Sequence, residues 1–205
     1  SNPDSSYYFA ETASAIAERS NLEWHQANAK FIQGYIYDTK GQDGKAILRY
    51  MEAVSILSGL SDIRSKKDHS AILSNAADIL REHYKFDEAI KLFDESLALA
   101  EKYRFEGYQQ NILNAHYNKS FTYKEKGDYQ QAIDEALICH ELAIELDNQN
   151  MILRSWNRLG VISRRTEQFD EAINYFTGII DHVDRYKYRP QRRRLPQFSE
   201  CLLGY

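Results

Sequence analysis

The side chains that could carry acid–base, metal or nucleophilic chemistry are six histidines and two cysteines, and their spacing favours none of these uses. No pair of histidines forms a His-x-x-x-His or His-Glu-x-x-His arrangement, so no zinc site is predicted. The histidines are His25, His69, His83, His116, His140 and His182. Cys139 and Cys201 are too few for a disulfide framework and lack metal-site spacing.

Cys139 is followed directly by His140, but neighbouring residues of a helix point about 100° apart, so they do not form a Cys/His catalytic pair. Cys139 instead continues the helical face that carries Ala132 and Ala136. We therefore expect a buried, reduced thiol, which fits a reducing compartment.

Paired carboxylates occur at 87–88 and 170–171, where predicted helices begin. The positive end of a helix dipole explains acids at these positions without a catalytic role. The sequence contains no phosphate-binding loop, no dinucleotide-binding glycine motif and no Gly-x-Ser-x-Gly. We expect no catalytic residue, no metal, no cofactor and no enzyme activity in this segment.

Charge is unevenly distributed along the 205 residues. The net charge is −4, yet residues 151–205 hold ten Lys and Arg against six acids, which leaves the first 150 residues at −8. The Arg192–Arg194 run is only a weak indication of nucleic-acid binding, because the rest of the chain is acidic. We therefore interpret it as a solvated loop and expect no nucleic-acid partner.

No stretch approaches the length of a membrane span, and the first residues do not form a signal peptide. We expect no membrane contact by this segment and a cytoplasmic location, with an extracytoplasmic domain of a membrane-anchored regulator left open.

A spaced pattern of small and large residues organises the chain. Trp156-x-x-Leu159-Gly160 is followed by Ala172-x-x-x-Phe176, which predicts two antiparallel helices that cross closely at Gly160 and Ala172. In four copies a small residue precedes an alanine by 12 positions. The pairs are Gly34 and Ala46, Ala77 and Ala89, Ser120 and Ala132, and Gly160 and Ala172.

This pattern resembles the tetratricopeptide repeat, with copies lengthened to 43, 43 and 40 residues and Ser163 at the position of its usual tyrosine. The resemblance implies an all-α fold, a right-handed superhelical α-solenoid of stacked antiparallel helix pairs. The lengthened repeats look like those of the sensor regions of bacterial signalling regulators, and like motor-protein light chains.

We expect one domain over 1–205, cut from a longer protein. It would hold repeats at about 22–60, 62–103, 106–147 and 150–188, with partial repeats at 5–20 and 196–205. The predicted helices span 5–20, 22–40, 44–58, 62–83, 87–103, 106–126, 129–147, 150–166, 169–188 and 196–205. Gly127 suits a left-handed helix end, and Asp62 and Asp128 are expected to cap the helices that follow them.

In this family the first helices of successive pairs line the concave side of the superhelix. The residues expected to face this groove follow from their positions on those helices. The candidate binding residues are Asn75, Asn114, Tyr117, Asn118, Phe121, Arg154, Asn157, Arg158 and Arg164. Further groove positions are Asn28, Phe31, Tyr35, Asp38, Ser74, Asp78 and Arg81. Asn118, Arg154 and Arg158 match three positions by which such domains hold a C-terminal carboxylate, whereas Ser74 and Asp78 depart from that pattern.

Two functions follow from the resemblance. The first is a peptide- or protein-binding module of a regulatory protein, whose groove orients an acidic or C-terminal segment. The second is a dimerisation or spacer element of a signalling protein such as a histidine kinase or DNA-binding regulator. The latter rests on apolar residues at the two truncated ends, namely Phe9, Ile16, Phe198, Leu202 and Leu203.

Overall fold

The computed structural model describes residues 8, 11, 12, 15–17, 19 and 22–187, with side chains up to residue 184. Residues 22–187 form a succession of helices joined by short turns. They are α1 (Glu23–Thr39), α2 (Asp43–Gly59), α3 (Ile63–Glu82), α4 (Phe86–Tyr103), α5 (Tyr108–Lys126), α6 (Tyr129–Glu145), α7 (Gln149–Arg165) and α8 (Phe169–Lys187). The described residues from 8 to 19 are helical too, whereas the predicted helix 196–205 lies outside the described residues.

Neighbouring helices pack in a regular order. Each of α1, α3, α5 and α7 packs on the helix that follows it, each pair packs on the next, and α3, α5 and α7 also contact one another in sequence. The described residues contain no strand. The fold is the predicted all-α solenoid of stacked antiparallel helix pairs.

Small residues are required where the helices of a pair cross. A Cβ atom on Gly160 would lie 2.8 Å from the Phe176 ring, and one on Gly34 would lie 2.5 Å from the Tyr50 ring. In the third pair the hydroxyl of Ser120 donates a 2.7 Å hydrogen bond to the carbonyl of Ala132. The predicted crossings are confirmed, because the facing helix leaves no room for a Cβ atom at Gly34 or Gly160 and only a short side chain stands at Ser120.

Of the three residues predicted to end or cap a helix, two behave as expected. Gly127 ends α5 with φ at 94°, in the left-handed region, and Asp62 caps α3 by accepting from the Ser65 amide at 2.9 Å. The prediction that Asp128 caps α6 is wrong, since its side chain makes no capping hydrogen bond. Its carboxylate instead binds Lys126 at 2.8 Å, an ion pair that competes for the same oxygen atoms.

The start of α5 also differs from the prediction. The helix was expected from residue 106, but it begins at Tyr108 because the preceding loop takes left-handed conformations at Arg104 and Gly107. Between them Phe105 is 2% exposed, so its burial anchors the loop between the second and third pairs.

No helix within the described part of the chain is both long and apolar enough to cross a bilayer. Cys139 is fully buried as predicted, and burial raises the pKa of its thiol to about 12. The thiol is therefore un-ionised near neutral pH and unreactive as a nucleophile.

Candidate functional site

Three helices bring arginine and aromatic side chains together across successive pairs. Residues four apart on a helix share a face, so α5 presents Tyr117 with Phe121, and α7 presents Arg154 with Arg158. Arg81 reaches the same place from α3. We call these five residues the arginine–aromatic cluster.

The guanidinium groups of the cluster stack on its two rings. The Arg154 guanidinium carbon lies 4.3 Å from the Tyr117 ring centroid, and that of Arg158 lies 4.7 Å from Tyr117 and 4.3 Å from Phe121. Arg81 lies 4.5 Å from the Phe121 centroid. Cation–π contacts of this kind hold the charged groups in place. Arg154 also donates a hydrogen bond to the sulfur of Met151 at 3.7 Å.

Lys124 also belongs to this neighbourhood, and the sequence prediction did not include it. Its Nζ atom lies 4.6 Å from the Phe121 ring centroid and 2.6 Å from a carboxylate oxygen of Glu125. The spacing could have revealed it, because position 124 lies one turn beyond Phe121 on the same face of α5.

The cations of the cluster differ in how they are compensated. Arg81 pairs with Asp78 at 3.3 Å and with Glu82 at 3.5 Å. Within the described part of the chain, neither Arg154 nor Arg158 has a carboxylate within ion-pair distance. The Nε atom of Arg158 is moreover buried without a hydrogen-bond partner. The α7 side of the cluster thus carries two positive charges that no acid of the described residues neutralises.

The electrostatics of the site follow from burial and from these cations. Burial raises the pKa of Tyr117, but the charges of Arg158 and Arg154 outweigh it and leave that pKa below its ordinary value. Burial lowers the pKa of Arg158. Burial is also the main reason why the pKa of Asp78 is raised, against the opposing effect of Arg81. Taken together, these effects indicate a partly desolvated site with a local excess of positive charge.

The remaining candidate residues lie around the cluster rather than in it. Asn118 and Asn75 are half-buried, while Asn114 and Asn157 are exposed. The Asn114 side chain accepts a 2.9 Å hydrogen bond from Gln110 on its own helix. Arg164 is set apart from the cluster and lines a separate cavity with Lys124.

A second group of charged side chains lies between α5 and its neighbours. Glu135 of α6 accepts from His116 at 2.6 Å and pairs with Lys119 at 2.5 Å, and Lys119 also pairs with Asp94 of α4 at 2.8 Å. All of these partners satisfy one another, so the group joins three helices and leaves no free ligand position. We assign it a structural role.

Two histidines flank Trp156 of α7. The His140 ring lies 4.9 Å from the indole and donates to or accepts from Ser155 at 2.9 Å, while the His182 ring lies 5.6 Å away at a right angle. No group of three or more His, Cys, Asp or Glu side chains capable of holding a metal occurs among the described residues.

Stacked antiparallel helix pairs that contact mainly their neighbours define the class of α-solenoid repeat proteins. Within that class, the chain belongs to the tetratricopeptide-repeat family, whose sequence pattern it matches at residues 68–149 and 153–181, together more than half of the chain. Repeats of this family are in general non-catalytic modules for protein interaction. No curated protein matches the sequence significantly.

Solved structures share the fold at low sequence identity. The apo form of RapI superposes with a TM-score of 0.73 at 15% identity, over 88% of this chain and 49% of that one. TPR-like repeats of a putative kinesin light chain from Podosopora anserina superpose with a TM-score of 0.74 at 14% identity, over 91% of this chain and 89% of that one. A Rap protein complexed with Competence and Sporulation Factor superposes with a TM-score of 0.64 at 14% identity, over 91% of this chain and 60% of that one. The chain spans about half the length of RapI, and at these identities the likeness concerns the fold.

Proposed function

We propose that this protein is a non-catalytic binding module whose arginine–aromatic cluster holds an acidic segment of a protein partner. The observation that carries the proposal is that Arg154 and Arg158 are stacked on aromatic rings but lack a carboxylate partner among the described residues. Arg154 is exposed and Arg158 is half-buried. A partly desolvated cation such as Arg158 is stabilised by a counter-charge, which a partner's carboxylate would supply.

The geometry suits such a ligand in two respects. Stacking leaves the planar edges of the guanidinium groups able to donate two parallel hydrogen bonds to a carboxylate. The half-buried rings of Tyr117 and Phe121 offer apolar surface beside the charges, as is usual at sites that dominate binding energy. The side-chain amides of Asn118 and Asn157 can pair with the backbone of an extended segment.

We further propose that this binding serves regulation. The fold likeness to a Rap protein that was solved together with Competence and Sporulation Factor supports a sensing role for a solenoid of this kind. A C-terminal carboxylate is one acidic group that Arg154 and Arg158 could hold, with Asp78 disfavouring an anion placed next to it.

The proposal is tested with peptides selected from a random displayed library on the wild-type protein. The affinity of each selected peptide is then measured by fluorescence anisotropy for the wild type and for Arg154→Glu/Arg158→Glu. Losing two charge-assisted contacts is expected to weaken binding about thirtyfold or more. The matched control is Lys67→Glu/Lys91→Glu, which makes the same charge change at exposed lysines outside the cluster.

Selected peptides without excess acid, or equal affinities for the two double variants, would contradict the proposal. The first outcome would show that the ligand is not acidic. The second would show that binding depends on the net charge of the protein and not on the cluster.

A second candidate function, self-association, is favoured by apolar side chains on α8. Phe169, Ile173 and Ile180 lie on one stripe of that helix and are 58%, 60% and 60% exposed. Sedimentation velocity of the wild type and of Ile173→Gln/Ile180→Gln distinguishes the two candidates. A dimer that the substitution dissociates would support association, whereas a monomer in both would leave the groove as the functional surface.

A further inference from the structure

A polar cavity of about 250 Å³ opens where the C-terminal ends of α5 and α7 meet the start of α6. It is lined by Lys124, Glu125, Tyr129, Val161, Arg164 and Arg165. Neither Arg154 nor Arg158 lines it, so this cavity is a separate site from the arginine–aromatic cluster.

The charges that line the cavity do not balance. Lys124 binds Glu125 at 2.6 Å, but within the described part of the chain Arg164 and Arg165 have no carboxylate at ion-pair distance. Three cations against one carboxylate leave an excess of two positive charges. A single bound group with two negative charges would neutralise that excess.

The hydrogen-bond donors of the cavity are also arranged for an oxyanion. The Nε–H of Arg165 donates to the hydroxyl oxygen of Tyr129 at 3.3 Å, which fixes the guanidinium and leaves its two terminal nitrogens as donors. Because the Tyr129 oxygen accepts this bond, its own proton can be donated to a ligand. Arg164 is exposed at the same opening and adds a second fork of donors.

We propose that this cavity binds a phosphate monoester dianion. Near neutral pH a phosphate monoester carries up to two negative charges, which matches the charge excess, and its three acceptor oxygens can accept from Arg164, Arg165 and Tyr129. A carboxylate carries one charge and two oxygens, and would leave part of the excess uncompensated. The site does not depend on the cluster binding an acidic segment.

The experiment follows the arginine side chains directly. Nitrogen-15 NMR spectra of the Nε–H groups are recorded while phenyl phosphate is added, with benzoate as a control of the same ring and a single charge. Saturable shifts at Arg164 and Arg165 that benzoate reproduces only at concentrations about tenfold higher are expected. Equal responses to the two compounds would overturn the proposal.

Variants then locate the site. Arg164→Gln/Arg165→Gln is expected to weaken phenyl phosphate binding about tenfold or more, as judged from the shift of the Lys124 amide. Lys67→Gln/Lys91→Gln removes two positive charges from exposed lysines that do not line the cavity and is expected to leave the affinity within about twofold. Binding that Arg164→Gln/Arg165→Gln leaves unchanged would overturn the assignment to this cavity.

Two sources of the phosphate are distinguished by further titrations with inorganic phosphate and with a short phosphoserine peptide. A peptide that binds more tightly than inorganic phosphate identifies a phosphorylated side chain of a partner. Equal affinity identifies a small phosphate compound, and failure of both to shift Arg164 and Arg165 would overturn the proposal.

Discussion

Gly160 shows how one atom decides whether a helix pair can form. A methyl group at this position would lie 2.8 Å from the Phe176 ring, closer than real Cβ contacts allow. Gly178, on the facing helix, has its nearest neighbour in Trp156 at 3.6 Å, an ordinary contact distance. Two glycines of one helix pair therefore have opposite tolerances for a side chain.

Gly160→Ala is predicted to destabilise the protein by about 1–3 kcal/mol, because the Phe176 ring must move to admit the methyl group. Gly178→Ala is predicted to be neutral or to stabilise by up to about 1 kcal/mol, since alanine favours the helix and meets only normal contacts. Urea unfolding of the two variants provides the measurement. Equal effects would show that helix propensity, not the close crossing, dominates at these positions.

Asp78 sets the charge of the cluster on its α3 side. It pairs with Arg81 at 3.3 Å, and burial raises the pKa of its carboxyl group. Asp78→Asn is predicted to bind the selected acidic peptides about fivefold more tightly, because it frees Arg81 and removes a like charge. Anisotropy titration measures the change.

Glu82→Gln is the matched control for Asp78→Asn, since this more exposed carboxylate pairs with the same arginine at 3.5 Å. We expect an effect of less than about twofold from this exposed pair. A larger gain from Glu82→Gln than from Asp78→Asn would contradict the role given to Asp78.

At the scale of elements, α5 makes two different sets of contacts through two of its faces. Tyr117 and Phe121 contact the arginines of the cluster, while His116 and Lys119 pair with Glu135 on α6. The helix therefore buries the polar residues His116 and Lys119 on the face that meets its neighbours. This buried ion-paired group fixes α5 against both its neighbours and so positions the rings of the cluster.

Glu135 makes this arrangement sensitive to acid. Burial opposes its ionisation, but hydrogen bonds and charges from His116 and Lys119 outweigh it and lower its pKa below 4.5. A depressed carboxyl pKa contributes stability above the ordinary value that is lost as the pH falls through the folded value. Glu135→Gln is therefore predicted to be less stable than wild type near neutral pH and to lose less stability between about pH 5 and about pH 3.

Urea unfolding at the two ends of that pH range measures the difference. Glu145→Gln, an exposed residue of the same helix, is the control and should follow the wild type. A pH profile of Glu135→Gln parallel to that of wild type would refute a contribution of Glu135 to acid sensitivity.

For the molecule as a whole, contacts run mainly between neighbouring helices of the stack. The stability of such a solenoid is the sum of the stabilities of its repeats and of the interfaces between neighbouring repeats. A destabilising substitution at one end should therefore affect mainly the helices at that end. The clash sites at Gly34 and Gly160 lie in the first and last complete helix pairs and allow a symmetric comparison.

Gly160→Ala is predicted to reduce amide protection chiefly in α7 and α8, and Gly34→Ala chiefly in α1 and α2. Hydrogen exchange followed by mass spectrometry measures the distribution along the chain. Uniform loss of protection in either variant would show that residues 22–187 open as one cooperative unit instead.

The sequence by itself determined the fold, because tetratricopeptide pairing depends on local spacing. A short turn brings residues 12 positions apart, such as Gly160 and Ala172, to the place where the two helices cross. Small residues at this spacing therefore predict a close crossing. The helix bounds followed for the same reason, and the exceptions at Asp128 and Tyr108 arise from a competing ion pair and from left-handed loop residues.

Only the tertiary structure decided which of the predicted groove residues contact one another. Arg81, Phe121 and Arg158 come from three different pairs, and their meeting depends on the angle at which the pairs stack, which no local spacing encodes. Likewise, the sequence shows that Arg158 is basic, but whether a described carboxylate lies within ion-pair distance of it depends on how the side chains around it pack, and none does. Pair geometry is local and can be predicted from sequence, whereas the charge balance of the groove is a property of the assembled stack.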